Sequence, residues 1–167
     1  MDPPNGTRQH STVDQRDSSG DGAITETTLD YRPDGVFLDE LKITTKASGI
    51  TDVTDLIADH PVPAVPTGAG PGTQTAIDLS SPDTKLHLVI KVLREEKVVI
   101  GGQAVDTLAI HQTGTFSGKL TGTSNIDDSI AIKYSLFVSD HTVSDVSAYN
   151  IKYHSDITSK MQKVTPD

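Results

Sequence analysis

The sequence predicts an all-β fold, an antiparallel meander bent into a strongly curved sheet, half-barrel or barrel, with a β-sandwich as the alternative. Three observations lead there. β-Branched residues are abundant, with 21 Thr among 167 residues, and such side chains suit a pleated, half-buried surface. From Ala23 onward apolar residues recur at every second position, the period of a strand with one buried face. No segment carries a 3.6-residue apolar stripe longer than three turns and no fixed-period repeat is visible, which argues against helical bundles, doubly wound α/β folds and solenoids. Long strands joined by tight hairpins favour a meander over a Greek-key sandwich built of short strands.

Residues 1–22 read as a disordered leader, because Pro3, Pro4, Asn5 and Gly6 open it and Val13 is its only aliphatic side chain. Residues 23–167 then form a single antiparallel β domain. The first hairpin joins 23–32 to 36–46 through Pro33-Asp34-Gly35, where Pro presets φ and Gly supplies the reversal. Residues 50–58 space Ile50, Val53 and Ile57 as a short helix would, but their β-branched content favours a strand. Pro61, Pro63 and Pro66 make 60–66 extended and unfit for a central strand, and 67–73 is a Gly-rich loop. Strands are expected over 74–80 and 84–93, with Glu95-Glu96 breaking the run before Val98–Ile100. Gly101-Gly102 has the form of a two-residue hairpin turn. Further strands are expected over 103–116, 119–125, 129–139 and 148–164, and the Asp127-Asp128 pair after Asn125 reads as a turn.

Composition bounds the core and the partners. Leu, Ile, Val and Phe make up about a quarter of the chain, above the level at which chains stay unfolded. With 3 Phe, 4 Tyr and no Trp, that core must be aliphatic. The net charge of −9 comes from 19 Asp and 4 Glu against 10 Lys and 4 Arg. No basic cluster exists to neutralise phosphates, so no nucleic-acid partner is expected. The Asp excess suits turns and loops. The absence of Cys removes disulfides, thiol nucleophiles and Cys-ligated metals. No apolar run reaches 18 residues, and the first thirty lack an apolar h-region, so neither a membrane span nor a signal peptide is expected in this chain.

No motif names a site, and the expectation is that there are no catalytic, cofactor-binding or metal-binding residues. Asp17, Ser19 and Asp21 stand at positions 1, 3 and 5 of a calcium-type loop with Gly22 at position 6, but position 12 is Thr28 where a bidentate Glu belongs. The letters fit an Asp/Ser/Gly-rich linker equally well. Gly68, Gly70 and Gly72 lack both the dinucleotide-binding spacing and a phosphate-binding Lys. His10, His60, His87, His111, His141 and His154 form no metal-binding spacing. His87 and His111 could approach one another if their strands pair, although a solvated sheet face is the commoner outcome. His154-Ser155-Asp156 and Asp140-His141 resemble hydrolase letters, but neighbouring strand residues point to opposite faces. His111, His154 and Asp156 are the only set that would repay inspection as catalytic.

Five segments carry a family resemblance: Asp30–Leu38, Val65–Thr73, Val99–Thr107, Gly118–Thr123 and Tyr153–Thr158. They resemble a family of actinobacterial cell-envelope ectodomains marked by a Tyr-x-Pro-x-Gly-Val hairpin, a Pro/Gly loop and a closing Ser-Asp-x-Thr strand. The resemblance covers about residues 28–166. It implies an extracellular or envelope location, usually behind a signal peptide or membrane anchor. More distantly, the expected shape is similar to half-barrel lipoprotein carriers, whose curved sheet shields an acyl chain. The functional expectation is a non-enzymatic, monomeric envelope β domain that binds a lipid or other apolar small molecule. The first alternative is a structural or adhesion domain with a filled core and no ligand, and the less favoured one is a hydrolase.

Overall fold

The computed structural model describes residues 7–16, 18, 20–47, 49–131, 136–148 and 151–161. Eleven strands follow one another: β1 (Thr7–Arg16), β2 (Gly22–Arg32), β3 (Gly35–Ala47), β4 (Ile50–Ala58), β5 (Pro63–Pro66), β6 (Gln74–Ser80), β7 (Thr84–Ile100), β8 (Gln103–Gly118), β9 (Leu120–Ala131), β10 (Leu136–Ala148) and β11 (Ile151–Lys160). They form one sheet in the order β1-β2-β3-β4-β6-β7-β8-β9-β10-β11, with β5 off this path against β3. Every pairing is antiparallel. The sheet curls nearly into a barrel and leaves one unsealed seam, and β1 and β11 are the two ends of its strand order. The meander is therefore a barrel-like one, and the sandwich alternative falls away.

The most regular element is the β7–β8 ribbon. Leu86, Leu88, Ile90 and Val92 alternate inward, all 5% exposed or less, and Gly101 and Gly102 both take positive φ (56° and 81°), as the tight reversal into β8 requires. Contrary to expectation, Glu95-Glu96 do not break β7. The register shifts between Val92 and Arg94, a bulge that leaves Leu93, on the outer parity and 42% exposed, out of the β8 register and lets the strand run on to Ile100. Beyond it the Glu96 carboxylate accepts a hydrogen bond from Ser129 Oγ at 2.9 Å. Ile100, Ala131 and Val138 form a small second cluster there.

Two further expectations are corrected. Thr7–Arg16, placed by composition in the disordered leader, pairs with β2 along its whole length. An edge strand has little need of apolar residues, and polar cross-strand bonds supply its grip. Arg8 bonds Asp30 at 3.0 Å and Asp39 at 2.8 Å, and Tyr31 donates its phenolic hydrogen to Gln9 at 2.5 Å. The Arg8 guanidinium holds the Asp30 carboxyl down at about 2, while burial pushes the Tyr31 phenol up to about 12. The second correction concerns Asn125–Asp128, which is no turn but the middle of β9, paired on both sides. The run 129–139, read as one strand, is divided between the end of β9 and the start of β10. Residues 132–135 lie outside the described residues.

β4 is a strand, as its β-branched content favours. The Pro-rich stretch gives only the short β5, which pairs with Gly35–Phe37 of β3, while Glu40–Ala47 of β3 pair with β4. The main sheet is thinnest between β4 and β6, joined by Ile57↔Ser80 and Ala58↔Leu79 alone. Behind this join lies the main core, an aliphatic cluster drawn from β2 to β10 that includes Leu38, Leu56, Leu79, Leu88, Ile110 and Leu120. Phe116 and Tyr31 are its buried aromatics.

Candidate functional site

The strand register sorts the motif-bearing residues onto two faces. Outward, the histidines pair across strands with aspartates: His87 with Asp78 at 2.7 Å, His111 with Asp127 at 2.8 Å, His141 with Asp156 at 3.0 Å and His154 with Asp145 at 2.8 Å. The strands of His87 and His111 do pair, but His87 faces Thr115 and His111 faces Lys91, so the two do not meet. His111, His154 and Asp156 likewise do not come together, since each is bonded to a different partner. His10 lies beside Thr28 and Glu26 at the β1 edge, and His60 is exposed in the β4–β5 connection. Among the described residues no three His, Asp or Glu side chains converge as metal ligands. These pairs are exposed, with Asp78 at 65% and His87 at 54%, and exposed ion pairs contribute little to stability. Asp78→Asn is expected to leave Tm within about 2 °C of the parent in a thermal melt followed by circular dichroism.

Of the three oxygen donors in the calcium-type letters, only Asp21 is among the described residues. Asp17 and Ser19 lie outside the described residues. Asp21 directly precedes β2, and Gly22–Thr28 run straight along that strand paired with β1, so the twelfth position ends roughly 20 Å from Asp21 at strand rise. The glycine loop uses its own amides: Ala69 N–H donates to Pro66 O, Gly70 N–H to Thr73 Oγ1, Gly72 N–H to Val92 O and Thr73 N–H to Gly70 O. No helix of the described residues is long and apolar enough to cross a membrane. The outer face of β6–β11 carries Asp, His and Thr where a lipid-spanning barrel carries an apolar band.

The inner face holds the more informative arrangement. Phe116, Val146 and Tyr153 pack in or against the core, which fixes the inward parity of β8, β10 and β11. Moving away from this apolar row, the register places Gly114, Ser124, Ser144 and Ser155 in line, then Gln112, Ile126, Thr142 and Ile157, then Ile110, Asp128, Asp140 and Ser159. Polar side chains thus form a band on the concave side. The Ser124 and Ser144 hydroxyls bond one another at 2.8 Å, and Thr142 donates to Asp140 at 2.9 Å. Gln112 donates from Nε2 to Asp128, which is only 5% exposed. Burial, reinforced by the facing charge of Asp140, pushes the Asp128 carboxyl up to about 8.

Exposure of inward side chains rises toward the two edges. Ile110 is 1% exposed at the centre of the sheet, whereas Tyr153, Ser155 and Ile157 on β11 are half-buried and Ser11 and Val13 on β1 are exposed. The interior therefore reaches solvent along the edges, and the polar band lies beside that opening. The sequence offers Asp128, beside Asp127, as part of a turn and singles out neither Gln112 nor Asp140 as an inward partner. One signal was present: Ile126 and Ile130 flank Asp128 at two-residue spacing, which places that carboxyl on an apolar face if the segment is a strand.

Fold and site together define a barrel-like antiparallel β domain with an aliphatic core and a polar band on its concave face. No protein-family profile, curated protein or solved structure matches the chain.

Proposed function

We propose that the chain is a non-enzymatic β domain of the bacterial envelope that binds a small amphipathic ligand on its concave face, entering along the unsealed seam. The observation that carries this reading is the gradient on the inner face. An apolar row at Phe116, Val146 and Tyr153 adjoins a hydroxyl, amide and carboxyl band, and both lead to strands whose inward side chains are accessible to solvent. A ligand with an apolar body and a hydrogen-bonding end matches that order. The placement in the envelope rests on the resemblance carried by the hairpin and loop segments.

A filled structural domain is the second reading, and the breadth of the core cluster from β2 to β10 favours it. Native mass spectrometry of the purified chain, with solvent extraction of co-purifying small molecules, separates the two. The expected result is a one-to-one adduct of a few hundred daltons that exchanges with added lysophospholipid. A bare monomer mass, unchanged after incubation with lysophospholipids and fatty acids, overturns the binding reading in favour of the filled domain.

A further inference from the structure

Asp128 and Asp140 stand directly opposite one another on β9 and β10, both on the inner face. Like charges in that relation repel, and Asp128 has little water around it to screen the repulsion. Among the described residues the surroundings offer no compensating cation. β8 presents Ile110 opposite Asp128 and the neutral Gln112 amide, and β7 presents Val92 behind Ile110. β10 adds the Thr142 hydroxyl, and β11 places Ser159 opposite Asp140. Asp127, next in the chain, faces outward to His111 and adds a third negative group nearby. Lys160 pairs in register with Ser139, on the other parity. Among the described residues no Lys, Arg or His side chain forms an ion pair with either carboxyl. Two carboxyls so placed coexist when one keeps its proton and donates it to the other.

Their position gives the pair leverage. The register shift between Phe137 and Ser139 adjoins it, so the ladder is already interrupted on that side. β10 is followed in the sheet order only by the edge strand β11. We propose that Asp128 and Asp140 form a proton-operated latch: one proton shared between them holds β10, and with it β11, against the barrel, and its loss to solvent loosens that side of the seam. The latch acts on the strands themselves and does not depend on a bound ligand.

The direction with pH follows from the Asp128 carboxyl, which titrates at about 8 in the closed strand pair and at about 3.9 once the strands part. The stabilisation is complete below the lower value, declines as pH rises between the two, and is fully lost above about 8. Hydrogen exchange of the full chain at pH 6 and pH 8, corrected for the intrinsic pH dependence of amide exchange, reads this out. Protection of β10 and β11 amides is expected to fall about tenfold or more between the two conditions, while β7 amides keep theirs. Asp128→Asn retains an N–H donor toward Asp140 without the charge and is expected to hold β10 and β11 protection constant. Asp140→Asn removes the facing charge and leaves the buried Asp128 carboxyl to titrate at lower pH, so β10 and β11 protection is expected to fall less between pH 6 and pH 8 than in the parent, and the test survives the misfolding of either variant. Equal protection of the parent at both pH values overturns the latch. So does a fall of undiminished size in the Asn variants, which would assign the effect to the outward pairs His141–Asp156 and His154–Asp145 on the same strands.

Discussion

Leu79→Ala is expected to lower the unfolding free energy by about 2–5 kcal/mol, toward the upper part of that range. Leu79 has 0% exposure and sits where the sheet is thinnest, opposite Ala58 of β4 and Leu86 of β7. Truncation removes apolar area and leaves a cavity at the join between the β1–β4 and β6–β11 halves, where only two residue pairs hold the ladder. The surrounding strands cannot collapse into the gap without losing those pairs, so relaxation recovers little of the cost. Urea unfolding followed by far-ultraviolet circular dichroism measures it, with Val53→Ala on the exposed side of β4, where Val53 is 51% exposed, as the near-neutral comparison. A loss below about 1 kcal/mol for Leu79→Ala would mean that β4 and β6 are held by something other than this packing.

The same join shows what the sequence made legible. β6 and β7 were readable because Ile77 and Leu79, then Leu86, Leu88, Ile90 and Val92, alternate strictly, and alternation is the local signature of a one-sided buried strand. Barrel and sandwich were not separable from that pattern, since both alternate in the same way and differ only in how the sheet closes. β1 is not visible in the sequence because an edge strand held by Arg8, Gln9 and His10 has no apolar period to show. Asn125–Asp128 reads as a turn because Asn and Asp favour turns on average, and only the register reveals that Asp127 goes out to His111 while Asp128 goes in. The inward pairing of Asp128 with Asp140 depends on hairpin register across residues that sequence spacing does not fix. That is why the sequence predicts no site where the structure sets Asp128 and Asp140 face to face.

Gly122→Ala is the second large expected effect. Gly122 on β9 has φ of 137°, a region that L side chains rarely adopt, and it lies opposite Val146 of β10 and Phe116 of β8. A Cβ there would overlap the backbone carbonyl oxygen of Asp145 and lie 2.9 Å from Val146 Cα. Neither is a side chain that can swing away. Strain of φ and the backbone clash together are expected to cost about 2–4 kcal/mol, read as a fall in Tm of roughly 5–15 °C. Gly70→Ala, in the loop where a Cβ meets nothing within 4 Å, is expected to leave Tm unchanged or slightly raised. The comparison also bears on the seam. β9 and β10 are drawn together by glycine at one end and by the carboxyl pair at the other, some six residues along the strand. A Gly122 variant pries apart the end next to the core, so its loss should appear at every pH, whereas the Asp128–Asp140 end yields only as its proton leaves.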